Sequence, residues 1–165
     1  MKKILLLLVV LSFVFFSCGK KDDAVTLENG FICEIDGKSW TGDTLTSNIL
    51  KTGEFTVITS PYQFINSKDL EIFSFVLKGD LKPGDIVLGS ESGQSYVEFK
   101  STVTKKDKKF EDDFDAFHST EGKVKIVKVD ENRAEGTFNF TLVTSEEPKK
   151  TLKVTKGQFN LKISK

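Results

Sequence analysis

Sulfur and imidazole are nearly absent from this chain. Its 165 residues hold two cysteines and one histidine, too few for a disulfide framework or for the usual Cys and His ligands of a zinc site. An excess of either charge is missing too. With 24 Lys and Arg against 24 Asp and Glu, there is no basic footprint for nucleic acid and no polybasic stretch for docking on a membrane surface. Crossing a bilayer as a helix takes ~20 apolar residues, and the N-terminal apolar run, Ile4 to Phe16, has 13. Beyond residue 30 no segment sustains a helical period, and no linker divides the chain. What the sequence has in quantity is phenylalanine, 15 residues.

The first residues have the layout of an export signal: Lys2 and Lys3, the apolar run interrupted only by Ser12, then Ser17 before Cys18. The thiol at that point resembles a bacterial lipobox, with Phe15 where leucine is usual. The resemblance implies cleavage after residue 17 and two or three fatty acyl chains, palmitate among them, on Cys18, enough for stable anchoring. Lys21-Asp22-Asp23 resembles the surface-export signal of Bacteroidetes lipoproteins. Residues 18–30 have only Val25 and Leu27 as large apolar side chains and read as a flexible tether. Removing residues 1–17 from 165 leaves 148, the size of one domain, with 22 basic and 24 acidic residues. Cys33 then stands alone, and its place in an apparent strand suits a small buried hydrophobe.

The mature part alternates like strands. Phe31 to Ile35 and Lys38 to Thr41 flank Asp36-Gly37, a strong hairpin signal because both central positions of a type I′ turn need positive φ. Leu45 to Leu50 and Glu54 to Ser60 follow around Thr52-Gly53, and Pro61 is expected to end the second. Leu70 to Leu77 is apolar on both faces and reads as a central strand. Lys82-Pro83-Gly84-Asp85 is a turn, Ile86 to Leu88 a short edge, and Tyr96 to Val103 a half-buried strand with Val97, Phe99 and Ser101 on one face. Lys123 to Val129 alternates with a slip that a bulge would cause. After a turn at Asp130 to Ala134 comes Thr137 to Thr144, and Thr151 to Thr155 and Gln158 to Ile163 close the chain as two strands around Lys156-Gly157. About ten short strands at ~8 to 12 residue spacing predict a single all-β antiparallel domain over 31–165. A two-sheet sandwich and a closed barrel both fit this pattern. With Phe13, Phe15 and Phe16 in the signal, 12 phenylalanines remain to fill its core.

Three segments carry a resemblance to a known family: Phe31-Ile32-Cys33-Glu34-Ile35-Asp36-Gly37-Lys38-Ser39-Trp40, Glu135-Gly136-Thr137-Phe138-Asn139-Phe140 and Val154-Thr155-Lys156-Gly157-Gln158-Phe159. They resemble a domain-of-unknown-function family of small Bacteroidetes lipoproteins, in which a tether leads to a hairpin and the chain closes on glycine–phenylalanine strands. The resemblance implies no catalytic residues.

Candidate chemistry is sparse. His118, the sole histidine, has Asp115 and Ser119 nearby, but a triad needs the imidazole between its partners in space, and residues 115–119 read instead as an exposed polar loop. Glu111, Asp112, Asp113 and Asp115 lack the spacing and glycine of an EF-hand, and the adjacent lysines suit a solvated face. Neither a metal nor another cofactor is expected. Trp40, Tyr62 and Tyr96 are aromatics with polar handles that a carbohydrate platform would recruit, with core packing the alternative for Trp40. The expectation is a non-enzymatic, lipid-anchored binding or accessory module of the outer membrane, its partner an envelope protein or a glycan and not nucleic acid. A hydrolase with paired carboxylates is the outlying alternative.

Overall fold

A computed structural model describes residues 25–63, 69–89, 94–103 and 114–164, and these contain ten strands and no helix. They are β1 (Gly30–Ile35), β2 (Lys38–Thr41), β3 (Asn48–Thr52), β4 (Phe55–Gln63), β5 (Leu70–Lys78), β6 (Gly84–Val87), β7 (Tyr96–Ser101), β8 (Asp115–Val129), β9 (Arg133–Thr144) and β10 (Thr151–Ser164). Seven of them, β3–β4–β5–β7–β8–β9–β10, close into a barrel-like ring. The closing contact is short and parallel: Ile163 pairs with Ile49 and Ser164 with Leu50, while the other strand pairs are antiparallel. Along the earlier part of β10 the neighbour is instead β1, with β2 outside it. β6 pairs with the second half of β8.

The hairpin follows from its turn. Asp36 and Gly37 have φ of 49° and 78°, the positive pair that Asp-Gly supplies at low steric cost. Its apolar residues face the ring: Phe31 lies 5.6 Å from Phe73, 5.5 Å from Phe75 and 4.8 Å from Phe138, centroid to centroid.

Inside the ring the side chains form layers, because paired residues on neighbouring strands point the same way. Phe73, Phe99 and Phe117 sit side by side on β5, β7 and β8, with centroids 4.5 and 6.0 Å apart. Below them come Phe75, Val97 and Ser119, all fully buried, and the Ser119 hydroxyl accepts the Val97 N–H at 2.9 Å. Above them stands a polar layer of Glu71, Ser101 and Asp115, register partners in turn and all buried.

The strands differ from expectation at several points, one being that β9 begins at Arg133, inside the expected Asp130 to Ala134 turn. β4 runs through Pro61 to Gln63. The Pro61 carbonyl accepts the Asp43 N–H at 2.7 Å, and a strand residue's N and C=O point to one side, so the missing donor faces away from β5 and breaks no rung. Residues 45–47 lie in the connection before β3 rather than in it. The segment expected as an exposed polar loop around His118 is the start of β8, where His118 pairs with Glu98 on one side and Val143 on the other. The two expected terminal strands are one, β10, with a bulge between Val154 and Gly157 in which Lys156 takes φ 52°. That extra residue moves the inward set from Leu152 and Val154 to Gly157, Phe159 and Leu161, the parity change that had looked like two strands. The slip expected in Lys123 to Val129 is a register shift between Ile126 and Lys128.

The signal, Cys18 and Lys21-Asp22-Asp23 lie outside the described residues. The end of the expected tether is held against the domain. Leu27 O accepts the Asn160 amide at 3.0 Å, and Arg133 reaches the Asn29 side chain at 2.8 Å.

Candidate functional site

The polar layer caps one end of the ring, and the β1–β2 hairpin leans over it. Glu71 belongs to the inward face of β5 together with Phe73, Phe75 and Leu77, so the alternation that builds the core also carries a carboxylate inside. It is 8% exposed. Trp40 Nε1 donates to Glu71 Oε2 at 2.7 Å, and Ser101 Oγ donates to Glu71 Oε1 at 2.9 Å. Trp40 is held by edge contacts with Phe31 and Phe73, at 5.7 and 4.9 Å and interplanar angles of 82° and 88°, each pair contributing about 0.5–1.5 kcal/mol beyond its burial. The indole is thereby aimed at the carboxylate.

Between the hairpin and the ring lies a cavity of about 460 Å³. Ile35, Trp40, Phe99, Val103 and Leu152 form its apolar walls, Glu71 lines it from the ring side, and Asp36, Lys38, Ser39 and Thr41 come from the hairpin. Lys38 and Asp36 are exposed, and Asp36 Oδ1 is engaged by the Lys153 N–H at 2.8 Å. Cys33, on the neighbouring position of β1, is buried, and burial with the nearby carboxylates of Glu71 and Glu34 pushes its thiol up to about 12. It is a packing residue in its protonated form, not a nucleophile at neutral pH.

Of the other candidates, Tyr62 is the register partner of Glu71 across β4 and β5, while Tyr96 and His118 lie apart from the site. Tyr96 begins β7 opposite Val76, toward the far end of β5 from Glu71, and its outward side chain is 37% exposed. Tyr62 lies on β4, and its side chain is outside the described part. Trp40 and Tyr96 therefore do not share a platform. Asp115 and Ser119 point inward on β8 while His118 points to the opposite face, so strand alternation separates the imidazole from both. Asp115 forms a partly buried ion pair with Lys150 at 2.6 Å. Glu111, Asp112 and Asp113 lie outside the described residues. Among the described residues no group of three His, Cys, Asp or Glu side chains is placed to hold a metal ion.

A family model described as domain of unknown function (DUF6252) matches residues 28–161. The chain belongs to that family. No curated protein and no solved structure matches it. The matched span takes in all three segments that carried the resemblance, and the structure gives the DUF6252 domain a physical reason for two of them. Gly136 faces Phe159 and Gly157 faces Phe138 across β9 and β10. A Cβ on Gly136 would come within 2.5 Å of the Phe159 ring, and one on Gly157 would overlap the Phe138 ring. Each ring fills the space that the opposing glycine leaves. The Ile-Asp-Gly-Lys-x-Trp segment of the DUF6252 domain turns the hairpin and delivers Trp40 to Glu71.

Sequence reading missed Glu71. The signal was present, since Glu71 has the parity of Phe73, Phe75 and Leu77, but the partner that makes it a site, Trp40, is 31 residues away.

Proposed function

We propose that this chain is a lipid-anchored binding module of the bacterial cell envelope, without catalytic activity, that takes a small ligand in the cavity under the β1–β2 hairpin. The observation that carries the ligand part is the cavity itself. At about 460 Å³ it falls in the range of small-molecule sites, ~300–1,000 Å³, and has their usual make-up of mainly apolar walls with a few convergent polar groups. The anchor rests on the sequence: the short apolar run, Ser17-Cys18, and Lys21-Asp22-Asp23 favour an outer-membrane lipoprotein displayed outward. A glycan ligand on Trp40, Tyr62 and Tyr96 is the less favoured form of this reading, because Trp40 is 7% exposed and Tyr96 lies apart from it.

Trp40 is the sole tryptophan and lines the cavity, so its fluorescence reports on occupancy. A library of small metabolites and oligosaccharides titrated against the purified full chain should contain compounds that shift Trp40 emission saturably and raise the melting temperature. A library with no such compound contradicts the ligand reading. Mass spectrometry of the N-terminal peptide, with protease treatment of intact cells, tests the anchor and its orientation. A chain that starts elsewhere than Cys18 or lacks acyl groups contradicts it.

A further inference from the structure

Glu71 is a buried carboxylate with no counter-charge among the described residues. Its two oxygens each accept one hydrogen bond, both from neutral donors, Trp40 Nε1 and Ser101 Oγ. No cation among the described residues forms an ion pair with it. The contrast is Asp115, two strands along the same polar layer, which has Lys150 at 2.6 Å. A carboxylate offers about four acceptor positions, so two on Glu71 are left by its neighbours, and an isolated buried charge is costly unless something compensates it. Glu71 lines the cavity, and the walls beside it, Phe99, Leu152 and Val103, are apolar.

We infer that the cavity selects an organic ammonium ion with an apolar stem, its charged head on Glu71 and its stem against Phe99 and Leu152. This rests on the cavity being a ligand site. An ammonium carries three donors and no acceptor, which suits a carboxylate whose other partners are donors only. Trp40, already fixed edge-on by Phe31 and Phe73, holds the carboxylate in place without neutralising it. Lys38 on the hairpin stands at the mouth and is exposed, where solvent screens its repulsion of an incoming cation.

The test uses three probes with one stem: hexylammonium, 1-hexanol and hexanoate, titrated into the purified full chain while Trp40 emission and melting temperature are followed. Hexylammonium is expected to bind roughly tenfold to a hundredfold more tightly than hexanol, the ratio for a hydrogen bond to a charged group, and hexanoate not at all. In Glu71→Gln the hexylammonium affinity should fall to that of hexanol, with hexanol unchanged. Should that variant not fold, Leu152→Phe narrows the apolar wall and should weaken hexylammonium more than propylammonium. A preference for hexanol or hexanoate, or undiminished ammonium binding in Glu71→Gln, would overturn the assignment of a cation while leaving the cavity a ligand site, and equal losses in Leu152→Phe would overturn the placement of the stem. Silence from all three probes overturns the ammonium assignment, and the metabolite library decides the broader reading independently.

Discussion

Glu71 and Cys33 show how one buried position sets the chemistry of its neighbours. Removing the Glu71 side chain takes away the carboxylate to which Trp40 Nε1 and the Ser101 hydroxyl each donate, and losing a hydrogen bond to a charged group costs about 1.5–3 kcal/mol. Glu71→Ala is therefore expected to lose about 2–5 kcal/mol of unfolding free energy in urea titrations. Glu71→Gln should lose about 1 kcal/mol or less, because its carbonyl can take the indole N–H while the Ser101 hydroxyl turns to accept from the amide. Equal losses in the two variants would show that shape, not hydrogen bonding, fixes this corner. For Cys33 the sign is opposite to that of a paired carboxylate. Its thiol is pushed from an ordinary 9.0 up to about 12 in the fold, mainly by burial and then by Glu71 and Glu34. Below pH 9 both folded and unfolded chains keep the proton and nothing changes. Between pH 9 and 12 the unfolded chain releases it and the folded chain does not, so stability falls as pH rises. At about 1.4 kcal/mol per unit the loss approaches a few kcal/mol. Lysines and tyrosines titrate in the same window, so the measurement is the difference between wild type and Cys33→Ala, whose stability curves should converge as pH climbs from 9 to 12.

At the scale of strands, β9 and β10 are locked by the crossed pairs Gly136–Phe159 and Gly157–Phe138. In Gly157→Ala the new methyl has to displace the Phe138 ring, which itself stacks on Phe140 at 5.5 Å and meets Phe75 at 5.0 Å. Overpacking of this kind costs about 1–3 kcal/mol, to be read from urea midpoints. Gly157→Ala combined with Phe138→Leu should recover part of that loss, since the shorter side chain vacates the contested space. A double variant no more stable than the two single losses added together would argue against the crossed-pair account. These glycines were visible in the sequence as motif positions, yet their reason was not, because it lies in which phenylalanine faces each of them. The same limit applies elsewhere. Period-two alternation and the Asp-Gly turn located the hairpin, β5, β7 and most of β9, all of which depend on local pattern. The local signs that failed were Pro61, whose carbonyl and vacant N side both face Asp43 rather than β5, and the polar stretch His118-Ser119-Thr120-Glu121, which is held in β8 by β7 and β9 rather than by its own composition. For the site, Trp40 stood out by residue type, but the choice of Glu71 from 24 acidic residues required the ring to be closed first.

Taken whole, the described residues hold one buried core, and the proposed anchor belongs to the sequence that precedes them. Among the described residues twenty-one hydrophobic side chains form one buried cluster, and Thr26 bonds to the Gln158 side chain. With Cys33 buried in that cluster, Cys18 is the thiol on which the proposed acyl anchor rests. Cys18→Ala should therefore leave the domain intact and change only where it is found. Its melting temperature is expected to match that of the parent chain within about 1 °C, because in the proposed reading Cys18 serves only to carry the anchor. In cell fractionation it should either leave the membrane pellet or accumulate as a longer precursor still bearing residues 1–17. The two results differ by mass, and both follow from loss of the acylation site. A variant that remained in the pellet with normal mature length and with fatty acid attached would place the anchor elsewhere, while one that failed to fold would mean that the N-terminal segment contributes to the core beyond the contacts of Thr26, Leu27 and Asn29.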